Sequence, residues 1–217
     1  MKKLEVPFLA TVNRNCAVAD ISNLLDKLPK NRIEELPWSH YDYRPEVSFA
    51  IGHSNDCIYI KYYVREHTVK ALTLHTNGPV YKDSCVEFFL AFAGEQTYYN
   101  FEFNCIGTCL LGYGSSRNER ELVPASVIEK IRYQAVLTKD GSQDDLAVSW
   151  ELVLVIPLEV FHFHRLPSLS GLRCQVNFFK CGDDLPRPHF LSWNKIQTEE
   201  PDFHQLQFFG EAVFAQS

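Results

Sequence analysis

The chain has 217 residues and a formal net charge of −6. With 46% apolar and 22% charged residues it carries enough apolar side chain for a full core and does not have the composition of a disordered segment. No apolar run approaches the roughly 18 residues of a membrane helix, and no basic cluster offers the footprint a nucleic acid requires, so the expected partner is neither a membrane nor a nucleic acid nor another polyanion.

At the N-terminus, Lys2 and Lys3 precede a short apolar stretch interrupted by Pro7 and Asn13, with no small-residue cleavage site. This reads as no signal peptide, which leaves a cytoplasmic chain or an extracytoplasmic one whose leader has been trimmed. A helix is expected over residues 21–28, with Asp20 as its N-cap and Pro29 ending it. From there the dominant period is two. Residues 47–51 form a first β run. In the next, Ile58, Ile60, Tyr62 and Val64 alternate with Tyr59, Lys61, Tyr63 and Arg65. Residues 69–74 read as a further strand. Val86, Phe88, Leu90 and Phe92 alternate with Cys85, Glu87, Phe89 and Ala91, and Tyr99, Phe101, Phe103 and Cys105 with Tyr98, Asn100, Glu102 and Asn104. Runs at 131–137 and 148–156 follow, with a helical turn expected after Pro157. Cys174, Val176 and Phe178 then alternate with Arg173, Gln175 and Asn177, ahead of runs at 190–193 and 207–214. Turn residues such as Asn77-Gly78-Pro79, Asp140-Gly141-Ser142 and Gly182-Asp183-Asp184 separate the runs. Strands of this number without long helices between them predict an all-β chain. We expect a two-sheet antiparallel β-sandwich, jelly-roll-like, with one or two short helices, as a single domain over residues 1–217.

Seven cysteines at irregular spacings match no zinc or redox motif and read as small buried hydrophobes in a reducing compartment. The polar sides of the strands carry Glu87, Glu102, Asn104, Arg173, Gln175 and Asn177. If these strands share a sheet, the side chains line one surface. That surface is either the wet face of a half-buried sheet or a donor–acceptor array of the kind sugar hydroxyls need. A pyranose also requires a flat aromatic surface against its C–H face. Trp38, Tyr41, Tyr43, Tyr81, Tyr113, Trp193 and Phe203 lie in turn-like segments that could supply one, with Tyr81 at a sheet rim, whereas Trp150 is mid-strand and belongs to the core.

The segment Tyr81-Lys82-Asp83-Ser84-Cys85-Val86-Glu87-Phe88-Phe89-Leu90 resembles the D-S-V-E-x-F-L strand of carbohydrate-binding module family 9. In the same order, residues 99–107 resemble that family's aromatic–x–F–x–x–N–x–x–G strand, Trp150-Glu151-Leu152 with Ile156-Pro157 its W-x-x…I-P segment, and Gln175-Val176-Asn177-Phe178-Phe179-Lys180 its N-F-x-R strand. Leu191-Ser192-Trp193 and Phe209-Gly210-Glu211 are similar to its S-W and F-G signatures, so the resemblance runs from about residue 38 to 214. It implies a sandwich of two antiparallel sheets that captures a sugar, in some members a glycan end, between two aromatic rings. By position Tyr81 stands for one ring, where members carry Trp. Phe203 or His204 stands for the other, and Glu87 for the glutamate that bonds sugar hydroxyls. Glu102 stands where some members have Arg, which departs from the pattern. Members are commonly attached to xylanases, which suggests a role in carbohydrate catabolism.

No cofactor is required on this reading. The family often holds structural calcium, for which Asp183 and Asp184, or Asp140 with Asp144 and Asp145, are the candidate donors. His162 and His164 would share one side of a strand but lack neighbouring ligands. Three competing functions remain. Glu87 and Glu102 on adjacent strands could act as a glycosidase pair, although no G-x-S-x-G, H-E-x-x-H or phosphate loop is present. A haem or redox sandwich of this architecture uses Met and His axial ligands; the single methionine is Met1, and two-His ligation has no supporting spacing. The aromatic region 38–44 could serve as a protein-binding surface with no sugar ligand.

Overall fold

Alternation of apolar and polar residues, with β-branched and aromatic side chains, builds two facing sheets in a computed structural model that describes residues 1–139 and 147–217. The expected turn at Asp140-Gly141-Ser142 and the carboxylates Asp144 and Asp145 lie outside the described residues. The first sheet has the order β2 (Asn31–Arg32), β3 (Glu46–His53), β4 (Cys57–Glu66), β10 (Val148–Pro157), β9 (Arg132–Lys139). The second runs β1 (Lys3–Val6), β13 (Gly210–Phe214), β11 (Arg173–Cys181), β5 (Cys85–Phe92), β6 (Tyr98–Asn104), β7 (Cys109–Gly114), β8 (Arg120–Leu122), with β12 (Phe190–Ser192) also beside β11. β1 pairs with β13 in parallel and the other named pairs are antiparallel. The all-β two-sheet reading of the sequence therefore holds.

The facing layers meet as the period-two pattern requires. Ile58, Ile60, Tyr62 and Val64 of β4 and Leu152, Leu154 and Ile156 of β10 pack against Val86, Phe88 and Leu90 of β5 and Phe101 and Phe103 of β6. Phe49 stacks on Phe178 with ring centroids 3.7 Å apart, and Phe178 lies 4.9 Å from Phe88, so one aromatic column joins the sheets. Each fully buried side chain of this kind contributes about 1.5–3 kcal/mol. Trp150 is buried as expected and donates from Nε1 to Glu66 Oε1 at 2.7 Å.

The outer faces depart from the simple sandwich, because both are covered. α1 (Val18–Leu25) and Leu9 lie over Tyr59, Val153 and Val155 of the first sheet. Over the second, residues 194–209 and Trp38 cover Phe89, Ala91, Tyr98, Leu110 and Phe179. Every residue of β5 is consequently buried. The polar positions Glu87, Glu102, Asn104 and Asn177 are buried too, rather than forming a wet face.

Three local expectations are corrected. The helix spans Val18–Leu25 instead of 21–28. Ala17 is its N-cap and supplies no side-chain bond, while Asp20 sits inside the first turn, where a carboxylate favours the positive end of the helix dipole. Its position is set by burial, since Ile21 and Leu25, one turn apart, form the apolar stripe. Residues 69–74 are not a strand. The amides of Leu72 and Thr73 donate to the Asp83 carboxylate at 3.1 and 2.8 Å, and that of Lys70 to Ser84 Oγ at 3.1 Å. Side chains thus take the bonds a ladder would have made, and Leu72 and Leu74 point outward. Trp193, read as a turn aromatic, is buried between the sheets beside Phe49 and Phe178. The helical turn after Pro157 is a 3-10 turn at Leu158–Val160.

Candidate functional site

A cavity of about 270 Å³ opens on the outer side of the second sheet, beneath the covering segment. Glu87 of β5 and Glu102 of β6 form its floor. They are directly opposed in the strand register, and their alternating positions turn both toward the cover. Cys181, the last residue of β11, completes the floor, and Asp183 follows it at the rim. Tyr81, held in a 3-10 turn at Val80–Lys82, forms one wall with Tyr41 and Phe190. The last two meet edge to face with centroids 4.7 Å apart. Pro201, Asp202, Phe203 and His204 of the covering segment line the cavity as well, with the Phe203 ring centroid 6.1 Å from that of Phe190. Arg117 reaches in from the β7–β8 connection and Arg120 from the start of β8.

Arg120 has to cross β7 to reach Glu102, and Gly112 lies on its path. A Cβ at position 112 would come within 2.7 Å of Asn100 Oδ1 and 2.9 Å of Arg120 Cδ. Glycine there leaves room for Arg120 Nη1 to donate to Glu102 Oε1 at 3.1 Å, beside Asn100 Nδ2 at 2.8 Å. Burial raises the Glu102 pKa, while Arg120 and the hydrogen bonds oppose that rise. Glu87 lacks such support. Burial, followed by the nearby Glu102 charge, pushes its pKa well up, toward the protonated form that can donate. Its Oε1 accepts from Cys181 Sγ at 3.1 Å.

His204 is kept neutral. Burial and then Arg120 bring its pKa down to about 3. Its Nε2 faces Arg120 Nη1 at 3.4 Å, and since a guanidinium only donates, Nδ1 carries the hydrogen toward Tyr98 Oη at 2.9 Å. Arg117 pairs with Asp202 at 3.2 Å. Asp183 is pushed up to about 6, chiefly by burial. Neutral and charged donors and acceptors therefore surround a space walled by half-exposed rings, an arrangement that can hold a polyhydroxylated ring by its edges and its C–H face.

Of the residues singled out from the sequence, the fold brings Tyr41, Tyr81, Glu87, Glu102, Phe203, His204 and Asp183 to this cavity. Phe203 stacks flat on Phe179 with centroids 4.2 Å apart, which occupies one of its faces. The others lie elsewhere. Asn104 donates to the Thr73 carbonyl at 2.9 Å and to Asp83 Oδ2 at 3.1 Å, fixing the 69–74 segment. Asn177 exchanges bonds with the Asn194 backbone, donating at 3.1 Å and accepting at 2.9 Å, and so anchors the start of the cover. Arg173 and Gln175 sit at the far end of β11, opposite Val213 and Glu211 of β13. Trp193 is in the inner core. Asp184 pairs with Lys82 at 3.5 Å and lies outside the cavity. His164 is held by Glu95 at 3.0 Å and Tyr99 Oη at 2.8 Å at another part of the molecule.

The lining residues that strand alternation did not single out are Arg117, Arg120, Cys181, Phe190, Pro201 and Asp202. All but Cys181 and Phe190 come from loops or a short edge strand, where no period marks orientation. Tyr41 was visible only as one turn aromatic among several, and His204 as an alternative to Phe203.

A profile for carbohydrate-binding family 9 matches residues 19–214. A crystal structure from Bacteroides uniformis, of a protein to which carbohydrate binding has been ascribed, is 36% identical with a TM-score of 0.89, covering 98% of this chain and 99% of that one. Two family 9 carbohydrate-binding modules from Caldicellulosiruptor kristjanssonii share the fold. One, in complex with cellotriose, is 13% identical with a TM-score of 0.59, over 100% of this chain and 95% of its own. The other, in complex with glucose, is 12% identical with a TM-score of 0.56, over 100% and 97%. No curated protein matches the chain.

Proposed function

The chain belongs to carbohydrate-binding family 9, and on that premise we propose that the cavity lined by Tyr81 and Phe203 holds a mono- or oligosaccharide, or the end of a glycan, without cleaving it. The observation that carries this reading is the convergence, on one cavity, of the rings of Tyr41, Tyr81 and Phe190 with the polar set Glu87, Glu102, Arg120 and His204. In the bound state the Tyr81 ring stacks on the C–H face of the sugar, while Glu87 and the Glu102–Arg120 pair hydrogen-bond its hydroxyls. At about 270 Å³ the cavity is small for a ligand site, the usual range being roughly 300–1,000 Å³, which favours a single terminal ring over an internal stretch of polymer.

Binding without hydrolysis is supported by the placement of the two carboxyls. Glycosidases flank the scissile bond with their acid and their base or nucleophile. Glu87 and Glu102 instead rise from neighbouring strands of one floor and approach a ligand from the same side.

Calorimetric titration of the full chain with glucose, cellobiose and a panel of other mono- and disaccharides tests this, beside Tyr81→Ala. The expected result is saturable heat with a Kd on the order of micromolar to millimolar, about 4–8 kcal/mol, weakened at least about tenfold by the substitution. Absence of heat with every sugar from folded protein, or unchanged binding in Tyr81→Ala, overturns the proposal.

A further inference from the structure

Beside Glu87, which the sugar reading already uses, the cavity floor carries two thiols that sugar binding does not require. Cys85 and Cys181 are directly opposed across β5 and β11, and Glu87, two residues beyond Cys85, projects to the same face. One donor atom from each of these three residues falls within 4.8 Å of the other two. We propose that Cys85, Cys181 and Glu87 form a binding site for one borderline-soft divalent cation, of the zinc type.

The first argument is donor chemistry. Two thiols and a carboxylate suit zinc, with cobalt and cadmium as substitutes, and do not suit calcium or magnesium, which take oxygen ligands. The seven cysteines are all free, so these two thiols are not consumed by disulfides.

The second argument is the state of Glu87. Its side chain is 3% exposed, and the hydrogen bond it receives among the described residues comes from the Cys181 thiol. A thiol is a weak donor, and a buried carboxyl without strong partners is costly. Its neighbour Glu102 has both Arg120 and Asn100. A cation between Glu87 and the two sulfurs gives the buried carboxylate a partner of opposite charge, and the thiol protons, with any proton held by Glu87, leave to solvent as it binds.

The third is access. Cys181 and Glu87 line the cavity, so an ion reaches its ligands from that side. With three protein donors, its remaining coordination position faces the cavity, as in open zinc sites. The pairing is invisible to motif spacing because it is made across two strands from distant parts of the chain.

The test needs no sugar. The full-length chain, kept reduced with a non-thiol phosphine, is titrated with Co²⁺. The expected result is a thiolate-to-cobalt charge-transfer band that saturates at one ion per chain and is bleached by Zn²⁺. It should be lost in Cys85→Ser and Cys181→Ser and retained in Cys16→Ser, which removes the half-exposed cysteine. Glu87→Gln keeps both thiols and guards against variants that fail to fold, with folding followed by near-ultraviolet circular dichroism. It should weaken Co²⁺ binding by at least about tenfold, since even outer-shell losses cost about 10–100-fold. The proposal is overturned if folded protein gives no band, if the band survives both serine substitutions, or if Glu87→Gln binds as tightly as the parent.

Discussion

The two sheets are each covered on their outer face, but the covers differ. Over the first sheet lies a helix, α1, whose apolar stripe seals onto Tyr59, Val153 and Val155. The charge beneath it is fully matched. Lys61, 2% exposed, donates to Asp26 at 2.8 Å and to Ser22 Oγ at 2.9 Å, and meets Glu151 at 2.8 Å. Over the second sheet lies the largely irregular segment 194–209, whose backbone must be tied down by side chains such as Asn177. It leaves a cavity, and Glu87 beneath it has no cation at salt-bridge distance among the described residues. A helix makes a tighter lid because the bonds it makes run along its own axis and only its ends need partners from outside. An irregular cover brings polar groups and gaps with it, and gaps lined by under-matched polar groups are where ligands bind.

That contrast can be broken or sharpened by substitution. The largest effect is expected on the sealed side, where Ile21→Ala leaves a hole beneath α1. It should cost about 2–5 kcal/mol in urea unfolding, with sugar affinity in the surviving folded protein unchanged. A loss of affinity there would mean that the two covers are coupled. On the open side Tyr81→Ala should show the reverse, with a binding loss of at least about tenfold and stability within about 0.5 kcal/mol of the parent, checked by calorimetry and unfolding of the same preparations.

Gly112→Ala should give a smaller effect. The added methyl crowds Asn100 and Arg120 and displaces the guanidinium from Glu102, so sugar binding is expected to fall by a factor of a few, on the order of 1 kcal/mol. Full affinity in this variant would show that the Arg120–Glu102 bond is dispensable for the ligand.

The smallest effect is in the pH dependence of the sealed side. Burial works against ionising Asp26, but hydrogen bonds from Lys61 and Tyr63 hold its pKa below the ordinary value. A carboxyl with a depressed folded-state pKa contributes stability above its unfolded pKa of about 4, and that contribution is lost as the pH falls through the folded value. Asp26→Asn should therefore flatten the acid limb of the stability profile below about pH 4, while leaving the neutral region less stable than the parent. An identical acid limb in the two proteins would count against Asp26 as the charge that matches Lys61.

Strand alternation is a local property, and it was legible. It placed Ile58, Ile60, Tyr62 and Val64 on one side of β4 and set Glu87 and Glu102 on the same side of their sheet. It could not tell Glu87 from Asn104 or Asn177, which share its face. One of these positions lies under a cavity and the other two under backbone that they bond. Residues 69–74 misread as a strand for a related reason, since their apolar pattern says nothing about the Asp83 carboxylate that takes their amides.

The sequence by itself determined the all-β class, the two-sheet sandwich, the resemblance to family 9 and the pair Tyr81 and Glu87 as the centre of interest. These follow from side-chain period and short-range motifs, both written within one strand and its turn. The tertiary structure alone decided that both outer faces are covered, that Trp193 is core, that Arg120 reaches Glu102 over Gly112, and that Cys85 meets Cys181. Those facts depend on which distant segments come to lie across a strand. That is settled by the burial of a whole face at once, and no local pattern encodes it.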